Sequence, residues 1–301
     1  MGGRHFMSEL QDHHILMAIK DLSLAARRTI DGFMAGINKS KVKGPGLEFS
    51  QYRSYQPGDD LRWLDWKRYA RSDRYYIRES EIETSISIRL LVDASNSMAH
   101  RDGASTKLDY ARLLAASLGW LAHMQGDSFG LYVFQEGDVF SLPSRKDPQH
   151  LARFFYQLEN IRPGGRMGDP TQYKHIFTGD QKRELLVFIT DMYEREGEIS
   201  RLLEVLAALR HEIIVFHLIG KNELEMDYKG YHRVQDLETG EQVPFNGVLA
   251  QAAYQERLQA WLAGVRMQLL DKQIAYTMVR MDQSPGDALR DFLKQRQKVT
   301  G

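Results

Sequence analysis

Cysteine is absent from all 301 residues, which removes structural disulfides, thiol nucleophiles and thiolate-bound zinc from consideration. Net charge is absent too: 40 Lys and Arg balance 40 Asp and Glu. A chain without a positive surplus is poorly suited to bind nucleic acid or anionic membrane in general, because charge supplies most of that affinity. The longest apolar stretch, LLAASLGWLAHM at 113–124, is too short to span a bilayer and predicts a buried helix. The opening MGGRHFMSELQDHH has no apolar signal core, and the expectation from these features is a cytoplasmic protein. The loops GxxxxGK[ST] and GxGxxG, the HExxH zinc pair and the GxSxG nucleophile elbow are also missing.

What is present is a strong alternation of patterns. Ile15, Ile19, Leu22, Ala26, Ile30, Phe33 and Ile37 form the stripe of a long amphipathic helix, which KSKVKGPG then breaks. A segment dense in aromatics and both charge signs runs to about residue 84. There the spacing predicts an extended piece to Tyr55, a Pro57–Gly58 turn, a short helix near Leu61–Ala70 and a strand from Tyr75. Beyond it, SISIRLLVD, SFGLYVF, DVFSLP, ELLVFITD, HEIIVFHLIG and QIAYTMVRM read as strands. Capped amphipathic helices fill the gaps, with Thr106–Asp109 and Ser284–Asp287 as capping pairs. Strand–helix alternation predicts an α/β fold with a doubly wound, mostly parallel sheet, preceded by an N-terminal helix and a small α+β subdomain. The expected division is 1–84 for helix and subdomain and 85–301 for the sheet domain, with a hairpin inserted near 228–246.

The stretch LLVDASNSM places Asp93, Ser95 and Ser97 at alternate positions where an apolar strand stops, and Asp191 ends a second strand. Open parallel sheets bind ligands at such carboxyl ends. Two carboxylates and two hydroxyls make an all-oxygen set of the kind Mg²⁺ selects, so Asp93, Ser95, Ser97 and Asp191 are candidate ligands. The plainer alternative has Asp93 capping a turn and the serines satisfying backbone amides. A phosphohydrolase with an Asp93 nucleophile is the enzymatic alternative, but its proton shuttle calls for a second acid where Ser95 stands. In PGDDLRWLDWKRYAR, the charges that alternate around Trp63 and Trp66 fit a salt-bridged segment docked by its tryptophans. Alternatively, Arg62, Trp63 and Trp66 anchor a partner.

DASNS and ITD resemble the D-x-S-x-S and aspartate elements of the metal-ion-dependent adhesion site in the von Willebrand factor type A fold. That resemblance implies a third element, a threonine after two glycines. Here PGGRMGDPTQY has Arg166 at that place and Thr171 further on. Either Thr171 reaches the site as a further ligand, or the Arg166 guanidinium plugs it and replaces the metal. The run from Gly46–Leu47–Glu48–Phe49 through Pro57–Gly58–Asp59–Asp60 and Asp65–Trp66 to Arg78 and Glu83 is similar to the bacterial domain of unknown function family 58, as are TKLDYARLLAASL and LETGEQV. That resemblance implies a partner, a MoxR-type AAA+ ATPase or its client, in protein maturation or assembly. Because the site offers no activated nucleophile or obvious general base, the expectation is a non-enzymatic interaction module that uses a bound Mg²⁺ as an adhesion-type contact.

Overall fold

The computed structural model describes residues 21–39, 52–54, 76–78, 87–136, 138–169, 183–209, 211–226 and 230–299. The short helix expected near residues 61–70 lies outside them. The chain divides into two units: residues 40–85, and the remainder, which holds the helix before them and all that follows. The first elements are helix α1 (Leu22–Lys39) and strands β1 (Tyr52–Ser54), β2 (Tyr76–Arg78) and β3 (Ser87–Asp93). After a 3₁₀ turn at Asn96–Ala99 come β4 (Arg101–Asp102), β5 (Ser105–Thr106), α2 (Lys107–Gln125), β6 (Ser128–Gln135), β7 (Asp138–Arg145) and α3 (Pro148–Asn160). Then follow β8 (Leu185–Thr190), α4 (Glu198–Ala208), β9 (Glu212–Ile219), α5 (Lys221–Glu225), the hairpin β10 (Tyr231–Gln235) and β11 (Gln242–Asn246), α6 (Gly247–Asp271), β12 (Ala275–Arg280) and α7 (Pro285–Val299).

In the smaller unit β1 and β2 pair antiparallel, Tyr52 opposite Arg78. The larger unit is built on a six-stranded sheet ordered β7–β6–β3–β8–β9–β12, in which only the edge strand β7 runs antiparallel. This is the α/β, mostly parallel, doubly wound architecture that the strand–helix alternation implied. Period-two side-chain alternation feeds two cores. Leu90 and Val92 of β3 point to one face, where α1, α2, α3 and α7 contribute Ile30, Leu114, Phe154 and Leu289. Leu91 points to the other, where α4 supplies Leu202 and Leu206 and α6 supplies Val265 and Leu269. Helices therefore cover both faces, and β3 is buried continuously from Arg89 to Asp93 for that reason.

Helix α1 belongs to this sheet unit, although the sequence division grouped it with the charged segment. Its stripe buries Ala26, Ile30 and Phe33 against α2 and α7, so the segment after it, not the helix, forms the separate unit. Both capping pairs form: Asp109 N donates to Thr106 Oγ1 at 3.1 Å, and Asp287 N donates to Ser284 Oγ at 3.1 Å. Among the described residues no helix is long and apolar enough to cross a membrane.

Candidate functional site

Strand β3 leads to β6 on one side and its other neighbour is β8, so the sheet's connections reverse direction between β3 and β8. Asp93 ends β3 and Asp191 follows β8, which puts both carboxylates at that reversal. The two aspartates and the serines form one hydrogen-bonded chain. Ser95 N donates to Asp93 Oδ1 (2.9 Å), the Ser95 and Ser97 hydroxyls are 3.0 Å apart, and Ser97 Oγ donates to Asp191 Oδ1 (3.1 Å). Thr190 closes the chain from the other side. Its hydroxyl donates to Asp93 Oδ2 at 2.7 Å and accepts from Met192 N at 3.0 Å. All five residues are buried.

The cation at this centre is a side chain. Lys107, the first residue of α2, extends its ammonium to Asp191 Oδ2 (2.9 Å) and to Glu223 Oε1 on α5 (2.8 Å), and is only 5% exposed. Glu223 is itself held by Gly220 N at 2.7 Å. Burial works against the Lys107 charge, but Asp191 and Glu223 outweigh it and hold its pKa above the ordinary lysine value. Burial alone would likewise raise Asp191; the Lys107 charge and hydrogen bond reverse that and keep it below the usual carboxylate value. Asp93 has no cationic partner of this kind among the described residues. Burial, then the charge of Asp191, push it up to about 6.

The Mg²⁺ expectation is corrected by this arrangement. Among the described residues no group of three or more Asp, Glu, His or Cys is placed to hold a metal ion. The oxygens counted as ligands are engaged within the protein: Asp93 by Ser95 N–H and the Thr190 hydroxyl, Asp191 by Ser97 and Lys107. An ammonium at hydrogen-bond distance from Asp191 supplies the positive charge that a divalent ion was expected to bring.

The glycine loop does reach the oxygen turn, through its backbone. Gly164 N donates to Ala94 O and Asn96 N donates to Gly165 O, both at 2.9 Å. Gly165 has φ +59°, and a Cβ there would lie 2.0 Å from Glu136 Oε2, so only glycine fits. Arg166, the plug in one of the two alternatives, is 43% exposed and faces Glu238 at the hairpin tip, with Nε 4.0 Å from Oε2. Thr171 lies outside the described residues, as do Arg62, Trp63 and Trp66. Glu238 was not anticipated: its side chain is 1% exposed and its Oε2 has no hydrogen-bond partner among the described residues. Burial, then the charges of Asp93 and Asp191, raise its pKa to about 7.

Beside the lysine lies a pocket of about 420 Å³. Its floor is Ser97, Lys107 and Asp191, and its walls come from β9, α5, the hairpin and α6. His217 of β9 bonds the Tyr276 hydroxyl (2.8 Å) and meets Trp261 edge-on, with ring centroids 5.4 Å apart. Burial lowers its pKa to about 4, so it is neutral at neutral pH. Helix α6 divides its apolar residues between core and pocket. Val265 and Leu269 are buried, while Tyr254, Leu258 and the 41% exposed Trp261 line the pocket.

The chain is 27% identical over 237 residues to uncharacterised proteins of Mycobacterium tuberculosis and Mycobacterium bovis, covering 77% of this chain and 74% of theirs. Among solved structures it is similar to BatB of Bacteroides thetaiotaomicron, at 18% identity, 72% coverage of this chain, 100% of that one and a TM-score of 0.43. It is also similar to an aerotolerance-related membrane protein of Bacteroides fragilis, at 18%, 70%, 99% and 0.45 in the same terms, and to the VWA domain of SpRpn10, at 10%, 68%, 94% and 0.35. The profile of the family described as "Protein of unknown function DUF58" matches residues 51–261, more than half of the chain, and the chain belongs to that family.

Proposed function

We propose that this chain is a non-enzymatic protein-interaction module whose sheet-edge site is closed by an internal lysine and engages its partner without metal. The observation that carries the reading is the Lys107 ammonium bonded to both Asp191 and Glu223. It neutralises the carboxylate nearest the serines. The serine hydroxyls are in turn engaged with one another and with Asp191, so the charge that would draw a proton from a serine is already satisfied. What such a centre supplies is rigidity: a fixed, buried polar floor under the pocket, with mobile-length side chains locked in one geometry. A MoxR-type AAA+ ATPase or its client is the partner class that the family resemblance implies, in protein maturation or assembly. The cytoplasmic placement expected from the cysteine-free sequence belongs to the same reading. Arg62, Trp63 and Trp66 are the candidates for a second contact.

The test is retention of a purified MoxR-type ATPase on the immobilised chain, with and without EDTA. Retention that is indifferent to EDTA supports the reading. Retention abolished by EDTA and restored by a divalent ion overturns it, as does failure of the ATPase to bind under either condition.

A further inference from the structure

The pocket beside Lys107 has a charge and shape of its own. Four acidic residues line it, Asp191, Glu194, Glu223 and Asp236, against the single ammonium of Lys107. Lys107 spends two of its three donors on Asp191 and Glu223, and His217 brings no positive charge at neutral pH. An anion entering here would meet a surplus of negative charge and be repelled. The walls between these carboxylates are aromatic and apolar, with Tyr193, Tyr254, Trp261, Leu237 and Leu258 among the lining residues. Carboxylates set among aromatic rings attract one chemical class, a cation on an apolar stem, through charge and the negative faces of the rings together. The volume, about 420 Å³, exceeds one side chain and admits a short stretch of peptide.

We infer that this pocket is a recognition site for a basic segment of a partner protein, taking an arginine or lysine side chain between Trp261, Tyr254 and the carboxylates of Glu223 and Asp236. The inference deepens the interaction reading by naming what the partner inserts. The hairpin forms one wall, since Gln235, Asp236 and Leu237 all border the pocket, and it is held by the Tyr193 hydroxyl, which donates to Asp236 Oδ2 at 2.6 Å. Leu237, 40% exposed on that wall, is a place where a substitution alters the pocket and leaves both cores untouched.

The experiment titrates the full chain, labelled with ¹⁵N, with Nα-acetyl-arginine amide and with its neutral isostere Nα-acetyl-citrulline amide. The Trp261 indole N–H is the reporter, assigned by Trp261→Phe. The expected result is saturable millimolar binding of the arginine compound, about tenfold weaker binding of the citrulline compound, and loss of the difference in Leu237→Lys and at high salt. Equal binding of both compounds overturns the inference. So does an unperturbed Trp261 signal, or tight binding of spermidine without binding of the arginine compound, which would make the pocket a small-molecule site. If the ATPase is retained and arginine is ignored, the pocket assignment falls and the interaction reading stands. If arginine binds and the ATPase does not, the reverse holds.

Discussion

Lys107 Nζ and Asp191 Oδ2 meet at 2.9 Å with side chains only 5% and 1% exposed, making an ion pair across 84 residues at the centre of the sheet's carboxyl edge. Removing one member of such a pair leaves a buried charge uncompensated. Lys107→Met is expected to destabilise the fold by about 3–5 kcal/mol. Lys107→Met combined with Asp191→Asn should recover a large part of that loss, because both charges then leave together. Urea unfolding of the two variants measures it. A double variant no more stable than the single one would show that the lysine acts through packing rather than charge.

Wild-type stability should not respond to Mg²⁺ or to EDTA. A ligand present at a hundred times its Kd adds about 2.7 kcal/mol to the unfolding free energy, a shift that thermal melts resolve readily. The expected shift is nil, because Lys107 already satisfies Asp191. A rise in the melting midpoint that saturates with Mg²⁺ would reopen the metal reading.

Much of this arrangement could be read in the sequence. All six sheet strands can be placed from the sequence, three of them as near-continuous apolar runs, and Asp93, Ser95, Ser97 and Asp191 do converge, since side chains at strand ends are placed by the sheet. The countercharge could not be read the same way. It depends on α2 and α5 closing over the site from positions 107 and 223, which no local pattern couples. One signal was available: Lys107 stands in the first turn of α2, where the exposed amide dipoles disfavour a positive charge, and a lysine there calls for a carboxylate partner. Arg166 was the more visible candidate because it occupies the threonine's place after Gly164–Gly165. The loop touches the site through backbone bonds, however, and the Arg166 side chain faces Glu238. His217 within the apolar run EIIVFHLI was a second unread signal, a polar side chain inside a buried strand.

Gly165 and Gly164 should respond very differently to a methyl group. Gly165→Ala puts a Cβ against Glu136 at a residue with φ +59°, and is expected to cost about 1–3 kcal/mol. A Cβ at Gly164 meets nothing within 4 Å, so Gly164→Ala should stay within about 0.5 kcal/mol of wild type. Thermal or urea unfolding of the pair compares them directly. Equal losses would mean that the loop geometry is not set by the left-handed glycine.

His217 and Asp93 give opposing pH dependences over much of one window. His217 has a folded pKa of about 4 against an ordinary 6.5, so between those values the unfolded chain takes up a proton that the native state refuses. Stability therefore falls as pH drops through that range. Asp93 is raised to about 6 from 3.8, so the native state takes up its proton first and stability rises as pH drops between those values. Asp93→Asn removes the second contribution and should make the acid loss steeper between about pH 6 and pH 4. Urea midpoints across that range test it. A variant profile parallel to wild type would show that Asp93 is ionised normally in the native state.

Glu238 should make the hairpin's hold on the site depend on pH. Its pKa, raised to about 7 by burial and then by Asp93 and Asp191, means that the native state keeps a proton that the unfolded chain has released above the ordinary value of 4.5. The carboxyl therefore reduces stability progressively as pH rises from about 4.5 to 7, and the reduction is complete above that. Glu238→Gln removes the ionisable group while keeping the side chain's length. In this variant the turn amides of Glu238 and Thr239, which donate to Asp236 Oδ1 at 2.8 and 3.2 Å in wild type, should exchange more slowly than wild type at about pH 8. At about pH 5, where wild-type Glu238 is protonated, the two proteins should protect them nearly alike. Hydrogen exchange at both pH values makes the comparison. Faster exchange in the variant at the higher pH would mean that the ionised carboxylate, held by Arg166, fastens the hairpin rather than loosening it.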